Sequence, residues 1–171
     1  MTIRTLTPAD VQDYRVLRLA ALHEQPPAFG TPAAKEEKLA LEAVAARLQA
    51  SEDTFILGAF SDDVLVGTIR FSRFDEANEK HRGFMAGLYV RPDFRRRGLA
   101  RSLATEVLER AQRDTGLRRI HLTVVTAQHA ASQLYKSLGV YIYGTEHEAF
   151  SDRGLFYDEH LMELLLPTKT K

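Results

Sequence analysis

Residues 84–90, FMAGLYV, form an apolar run that halts at Arg91 and Pro92. A run so short and so apolar, closed by a proline, reads as a buried strand. Leu99, Leu103, Val107 and Ala111, backed by Ala100 and Ala104, then recur at helical spacing from about Gly98 to Asp114, with an end near Gly116. IHLTVV, residues 120–125, is rich in β-branched residues and reads as the next strand. Ala131, Leu134, Tyr135 and Leu138 outline a further helix that ends at Gly139. Strands and helices in alternation are the pattern of helices laid on a sheet.

The flanking sequence extends that sheet. Thr2 to Leu6 suits a short strand, and Thr7, Pro8 and Asp10 spell a helix start whose apolar stripe is Val11, Tyr14, Leu17 and Ala21. EQPPAFGTP, from Glu24 to Pro32, breaks that helix, and Leu41, Val44, Ala45 and Leu48 mark a second one. FILGAF and VLVGTIRF flank Ser61, Asp62 and Asp63 as a hairpin would, and a polar segment runs from Asp75 to Arg82. Two closing strands, Val140 to Glu148 and Leu155 to Leu166, are joined by AFSDRG. With 171 residues and neither repeat nor linker, the expectation is one α/β domain (α+β in some schemes) over residues 1–166, built on a mixed sheet, with a disordered tail at 167–171.

Composition narrows the partners. The 23 basic and 23 acidic residues cancel, which argues against a general nucleic-acid or membrane-surface binder and makes any local cluster of charge informative. Cysteine is absent, so disulfides, thiolate metal sites and a cysteine nucleophile are excluded. The six histidines show no HxH or HExxH spacing, and no metal is expected. MTIRTLTPAD lacks a signal-peptide core and no apolar run approaches the roughly 20 residues that span a bilayer, so a soluble, cytoplasmic protein is expected.

The local cluster is RPDFRRRGLARS, residues 91–102. Arg95, Arg96 and Arg97 stand beside the first turn of a helix, where unpaired N–H groups already carry partial positive charge. A bound polyphosphate reverses the sign of that arrangement: the helix start holds the anion, Gly98 lets it approach the backbone, and Ala100 keeps the second contact position small. Neither GxxxxGK[ST] nor GxGxxG occurs, so a nucleoside triphosphatase or a nicotinamide dehydrogenase has no support.

Arg95-x-x-Gly98-x-Ala100, directly after a strand, resembles the pyrophosphate-binding signature [QR]-x-x-G-x-[GA] of the GNAT superfamily of N-acetyltransferases. Gln128, Ala131, Leu134, Tyr135 and Gly139 are similar, at the same spacing, to that family's later N-x-x-A-x-x-L-Y-x-x-x-G-F helix, with Gln128 in place of Asn and Val140 in place of Phe. The resemblance runs from about Ile3 to Leu166 and implies the GNAT fold of bacterial members, a mixed sheet of about seven strands flanked by about four helices. It further implies acetyl-CoA as acyl donor, its pantetheine arm lying beside Leu88, Tyr89 and Val90 where two strands splay apart. The amides from Arg96 through Arg97, Gly98, Leu99 and Ala100 to Arg101 would hold the pyrophosphate, with Arg95 and Gln128 also near the cofactor. An amine would attack the thioester directly, with a backbone N–H near Leu88 or Tyr89 stabilising the oxyanion. The enzyme would act as a monomer or homodimer.

By the same resemblance Tyr135 is the general acid that protonates the departing thiolate. Its ordinary pKa of about 10 exceeds a thiol's 8.5 or so, which makes the transfer uphill unless the site helps. Its shared stripe with Ala131 and Leu138 equally suits a core tyrosine. The base is harder to find, because the position where many relatives carry a glutamate is here approximately Phe84. Glu79 or His81 before that strand are the candidates, with Glu146, His147 and Glu148 further on, and all are of the kind that ordinarily lies in solvent. Phe29, Gly30, Phe84 and Phe150 are expected to line the acceptor pocket. Two other functions fit parts of the sequence: an acyl-CoA sensor that kept the cradle and lost the base, and a nucleic-acid module using the arginines, which the neutral charge disfavours.

Overall fold

Side chains that alternate between two apolar layers leave the sheet no option but to be covered on both faces. The computed structural model describes residues 1–114 and 116–167; of the expected tail, all but Pro167 lies outside the described residues. Seven strands, β1 (Thr2–Thr5), β2 (Thr54–Ser61), β3 (Val64–Arg73), β4 (Arg82–Val90), β5 (Arg119–Val125), β6 (Tyr141–Asp152) and β7 (Leu155–Leu165), lie in the order β1-β2-β3-β4-β5-β7-β6. Every neighbouring pair is antiparallel except β4 and β5, so the sheet is mixed.

Helices α1 (Val11–Glu24), α2 (Ala33–Glu37) and α3 (Leu41–Ala46) precede β2, while α4 (Leu99–Arg113) joins β4 to β5 and α5 (His129–Lys136) follows β5. Leu103, Val107, Ile120, Leu122 and Met162 belong to the apolar layer under α4 and α5. Leu6, Leu17, Val44, Leu48 and Ile56 belong to the opposite layer, under α1 and α3. Within β2 the partition is strictly alternate, with Phe55, Leu57 and Ala59 in one layer and Ile56 and Phe60 in the other.

Among the described residues five helices flank the sheet, in keeping with the expected mixed sheet of about seven strands and about four helices; the shortest, Ala33–Glu37 behind Pro32, is too brief to display the two-turn periodicity that reveals a helix. One expectation needs correction: the segment AFSDRG is not a connection. β6 continues to Asp152 and the turn is only Arg153 and Gly154, with φ of 49° and 79°. Positive φ at both central residues is the two-residue turn that matches strand twist, and it needs less chain than a polar loop.

Candidate active site

The start of α4 is built by backbone conformation. Arg96 and Gly98 have φ of 61° and 82°, which turns the chain out of the short Pro92–Phe94 helical turn and into α4. Ser102 N–H reaches back to the Gly98 carbonyl at 3.0 Å, while Gly98 caps the helix without a side chain. The preceding N–H groups therefore face outward together. A Cβ at Gly98 would meet no protein atom within 4 Å, so open space rather than packing lies above those donors. The cavity there, about 310 Å³, is lined by Val90, Arg95, Arg96, Gly98, Leu99, Ala100 and Arg101 from the expected cofactor residues, and by Phe94, Ala130 and Leu134, which were not among them.

The arginines divide into distinct roles. Arg95 donates to the Val90 carbonyl at 2.9 Å and pairs with Glu24 at 2.7 Å. Glu24 also accepts the Tyr89 hydroxyl at 2.6 Å; burial, and then this bond, push the phenol up to about 12. Arg97 donates to the Asp93 carbonyl at 2.9 Å and Arg101 to Ser137 at 2.6 Å. Arg96 is exposed on the cavity wall, without an ion pair among the described residues. Arg95, Arg97 and Arg101 thus each bind the protein itself through a side-chain nitrogen, and Arg96 is the member of the run on the cavity wall without such a bond among the described residues.

Next along the sheet, β4 and β5 pair only at Arg82, Gly83 and Phe84 and then part. Opposite β3, Ile69 alone faces Gly87 and Leu88, a bulge at which Gly87 takes φ of 66°. Such a bulge leaves backbone groups outside the ladder. The cleft between the parted strands, about 100 Å³, is bordered by Gly87, Leu88, Thr123, Gln128 and Tyr135. Tyr135 is only 5 % exposed, and burial raises its pKa well above the ordinary phenol value, so the hydroxyl is held neutral as a donor. The Tyr89 side chain does not border this cleft: its hydroxyl is tied to Glu24 and its ring lies in the apolar layer on the α1 side, which leaves its backbone to serve the arm.

Beyond the cleft a pocket of about 480 Å³ opens, walled by Phe29, Gly30, Phe84 and Phe150 as expected. Phe150 reaches it because β6 carries a bulge between Glu146 and Phe150, and its ring stacks on Tyr157 at 5.2 Å. Phe29, Gly87 and Thr123 border both spaces, so cleft and pocket are contiguous.

Neither expected base lies on that path. Glu79 is locked to Arg82 at 2.6 Å, and His81 is exposed, its carbonyl accepting from Arg118. His147 binds Asp158 at 2.9 Å, Glu148 sits exposed in the β6 bulge, and Glu146 faces Glu159 across the ladder. The carboxylate that does line the pocket is Glu159 on β7. Burial raises its pKa, the Thr123 hydroxyl bonded to it opposes this, and Glu146 adds to the rise. Sequence reasoning missed Glu159 because its neighbours in DEHLMELL are charged as well, and only the register of β7 on β5 selects which of them faces inward.

The model of the acetyltransferase (GNAT) family matches residues 18–140. No curated protein matches the chain. Among solved structures, an acetyltransferase of the GNAT family from Streptococcus pneumoniae is 26% identical, with 96% of this chain and 99% of that one covered and a TM-score of 0.85. The Salmonella typhimurium protein yncA, solved with its cofactor acetyl-CoA, is 20% identical over 100% of this chain and 96% of its own, with a TM-score of 0.85. Arabidopsis thaliana NAA60, in complex with a bisubstrate analogue, is 17% identical over 98% and 99%, with a TM-score of 0.75. Among the described residues no helix is long and apolar enough to cross a membrane.

Proposed function

The chain belongs to the GNAT family of acetyltransferases, and from that premise we propose that it transfers the acetyl group of acetyl-CoA to a primary amine by direct attack. The observation that carries this reading is the opening between β4 and β5, with the α4 cradle just past the end of β4 and the Tyr135 cleft contiguous with the Phe-lined pocket. The residues suit the donor: N–H groups and Arg96 for the pyrophosphate, and the unpaired edge of β4 for an amide-bearing arm. When bound, acetyl-CoA supplies the thioester that the amine attacks, an N–C bond forming as the C–S bond breaks.

Backbone N–H groups at the Gly87 bulge serve as donors to the carbonyl oxygen, where negative charge develops. An ammonium acceptor loses two protons in all. Glu159, in reach of the pocket and hydrogen-bonded to Thr123 at the cleft border, takes one and passes it to solvent. The thiolate takes up the equivalent of the other from the neutral Tyr135 hydroxyl, a transfer made uphill by the raised phenol pKa and therefore coupled to bond breaking. With Glu159 available as base, the substitution of Phe84 gives no reason to regard the chain as a sensor.

The test measures CoA release from acetyl-CoA across amino acids, polyamines, aminoglycosides and amine-bearing peptides, beside the thermal shift caused by acetyl-CoA alone. Release with at least one class, together with a clear shift, is expected. A shift without any release would convert the reading to a non-catalytic acyl-CoA-binding module, and no shift at all would remove acetyl-CoA as the donor.

A further inference from the structure

The acceptor pocket is charged in a way the acetyl-transfer chemistry does not require. Its ionisable walls, apart from Tyr14, are Arg18, Arg47, Arg70 and Glu159. Arg47 is neutralised by Glu36, whose carboxylate lies 2.7 Å away and is only 3% exposed. Arg18 lays its guanidinium over the Phe29 ring, 5.1 Å from its centroid, and neither Arg18 nor Arg70 meets a carboxylate among the described residues. Arg18, Arg47 and Arg70 line this pocket together with the buried Tyr14, whose phenol feels all three cations, with Glu36 opposing them.

Two guanidiniums without a carboxylate partner on one pocket wall, Arg18 half-buried and Arg70 exposed, repel one another. A bound anion offsets that repulsion, and the planar fork of arginine suits a carboxylate, phosphonate or phosphate. Glu159 stands at the other end. Arg70 lies on β3 and Glu159 on β7, with β4 and β5 between them, and both stand beyond the point at which β4 and β5 part, so the two side chains come from opposite borders of the opening. The pocket is thus polarised, negative where an amine must meet the cleft and positive at the far wall.

Resting on the acetyl-transfer reading, we propose that the acceptor is a small zwitterion, an amine that also carries a carboxylate or an equivalent oxyanion, whose anionic group is held by Arg18 and Arg70 while its amine faces Glu159. Polyamines and aminoglycosides, cationic throughout, meet repulsion from the same wall. The phenyl rings of Phe29, Phe84 and Phe150 leave room for an apolar side chain between the two poles.

The experiment compares kcat/KM for matched pairs, an L-amino acid against the amine obtained by removing its carboxylate, such as phenylalanine and phenethylamine or methionine and its decarboxylated amine. An amino phosphonate tests whether the anion or the carboxylate is read. The wild-type protein is expected to prefer the acid of each pair by about 10- to 100-fold, the value of a charge-assisted hydrogen-bonded contact. Arg70→Ala and Arg18→Ala should each shrink that ratio through KM of the acid, with Arg70→Lys restoring part of it, while the acetyl-CoA thermal shift reports that each variant is folded. Equal or better turnover of the decarboxylated partners, or of polyamines, would overturn the proposal and leave acetyl transfer standing. A ratio unmoved by both alanine variants would do the same, whereas failure of every amine would remove the acetyl-transfer reading and this one with it.

Discussion

Glu159 carries the point most exposed to a residue-level test. A carboxyl whose pKa is raised by burial remains protonated to higher pH than a solvated glutamate, and as a base it works only once that proton is gone. The expected profile of kcat/KM therefore rises with pH through a limb lying above the ordinary carboxylate range. Glu159→Gln should lower kcat/KM by about 10²- to 10⁴-fold and abolish this limb, with the acetyl-CoA thermal shift retained. A variant with unchanged rate and profile would return the base to water alone. Tyr135 illustrates the opposite relation between sequence and structure. Its number was legible from motif spacing, but whether it was a core residue or an acid was not. At 5 % exposure on the border of a cleft it is a core residue in packing, and the acid role proposed for it needs no change of that packing.

At the scale of elements, the β4-loop-α4 unit shows why a glycine can be required without packing against anything. Gly98→Val places a side chain in open space, so the cost to folding is that of the left-handed conformation, about 1–2 kcal/mol. The same side chain stands over the outward N–H groups. The expected outcome is a modest fall in the melting temperature of the free protein and loss of the acetyl-CoA shift, read by thermal denaturation with and without acetyl-CoA. A full shift would show that the α4 start is not the phosphate seat. This unit was legible because its apolar run, its proline and its helical period all act locally. The β6 bulge, which delivers Phe150 to the pocket and turns His147 toward Asp158, was not, since it arises from pairing with a strand that comes later in the chain.

Across the whole molecule, one route by which pH acts on stability is His121, a buried ring on β5 where it pairs in parallel with β4. Arg82 donates to its Nε2 at 3.2 Å, which requires an unprotonated nitrogen. Burial first, and then the charges of Arg82 and Arg119, lower its pKa. Below the ordinary value near 6.5 the unfolded chain binds a proton that the folded chain does not, so stability falls as pH drops from about 6.5 toward the lowered value. His121→Phe should flatten that part of the curve, as judged by urea midpoints at about pH 7.5 and pH 5.5; an equal slope in both proteins would clear His121 of the effect. Locally encoded patterns in the amino-acid sequence were enough to determine the strand and helix order from β2 to α5, the glycine-led start of α4, and the place of Tyr135 on α5, because turn chemistry, periodicity and motif spacing act over a few residues. Which carboxylate and which cations line the pocket was decided only in three dimensions. Arg18, Arg70 and Glu159 come from α1, β3 and β7, and what brings them into one cavity is strand register and the parting of β4 from β5, which depend on pairings between distant segments.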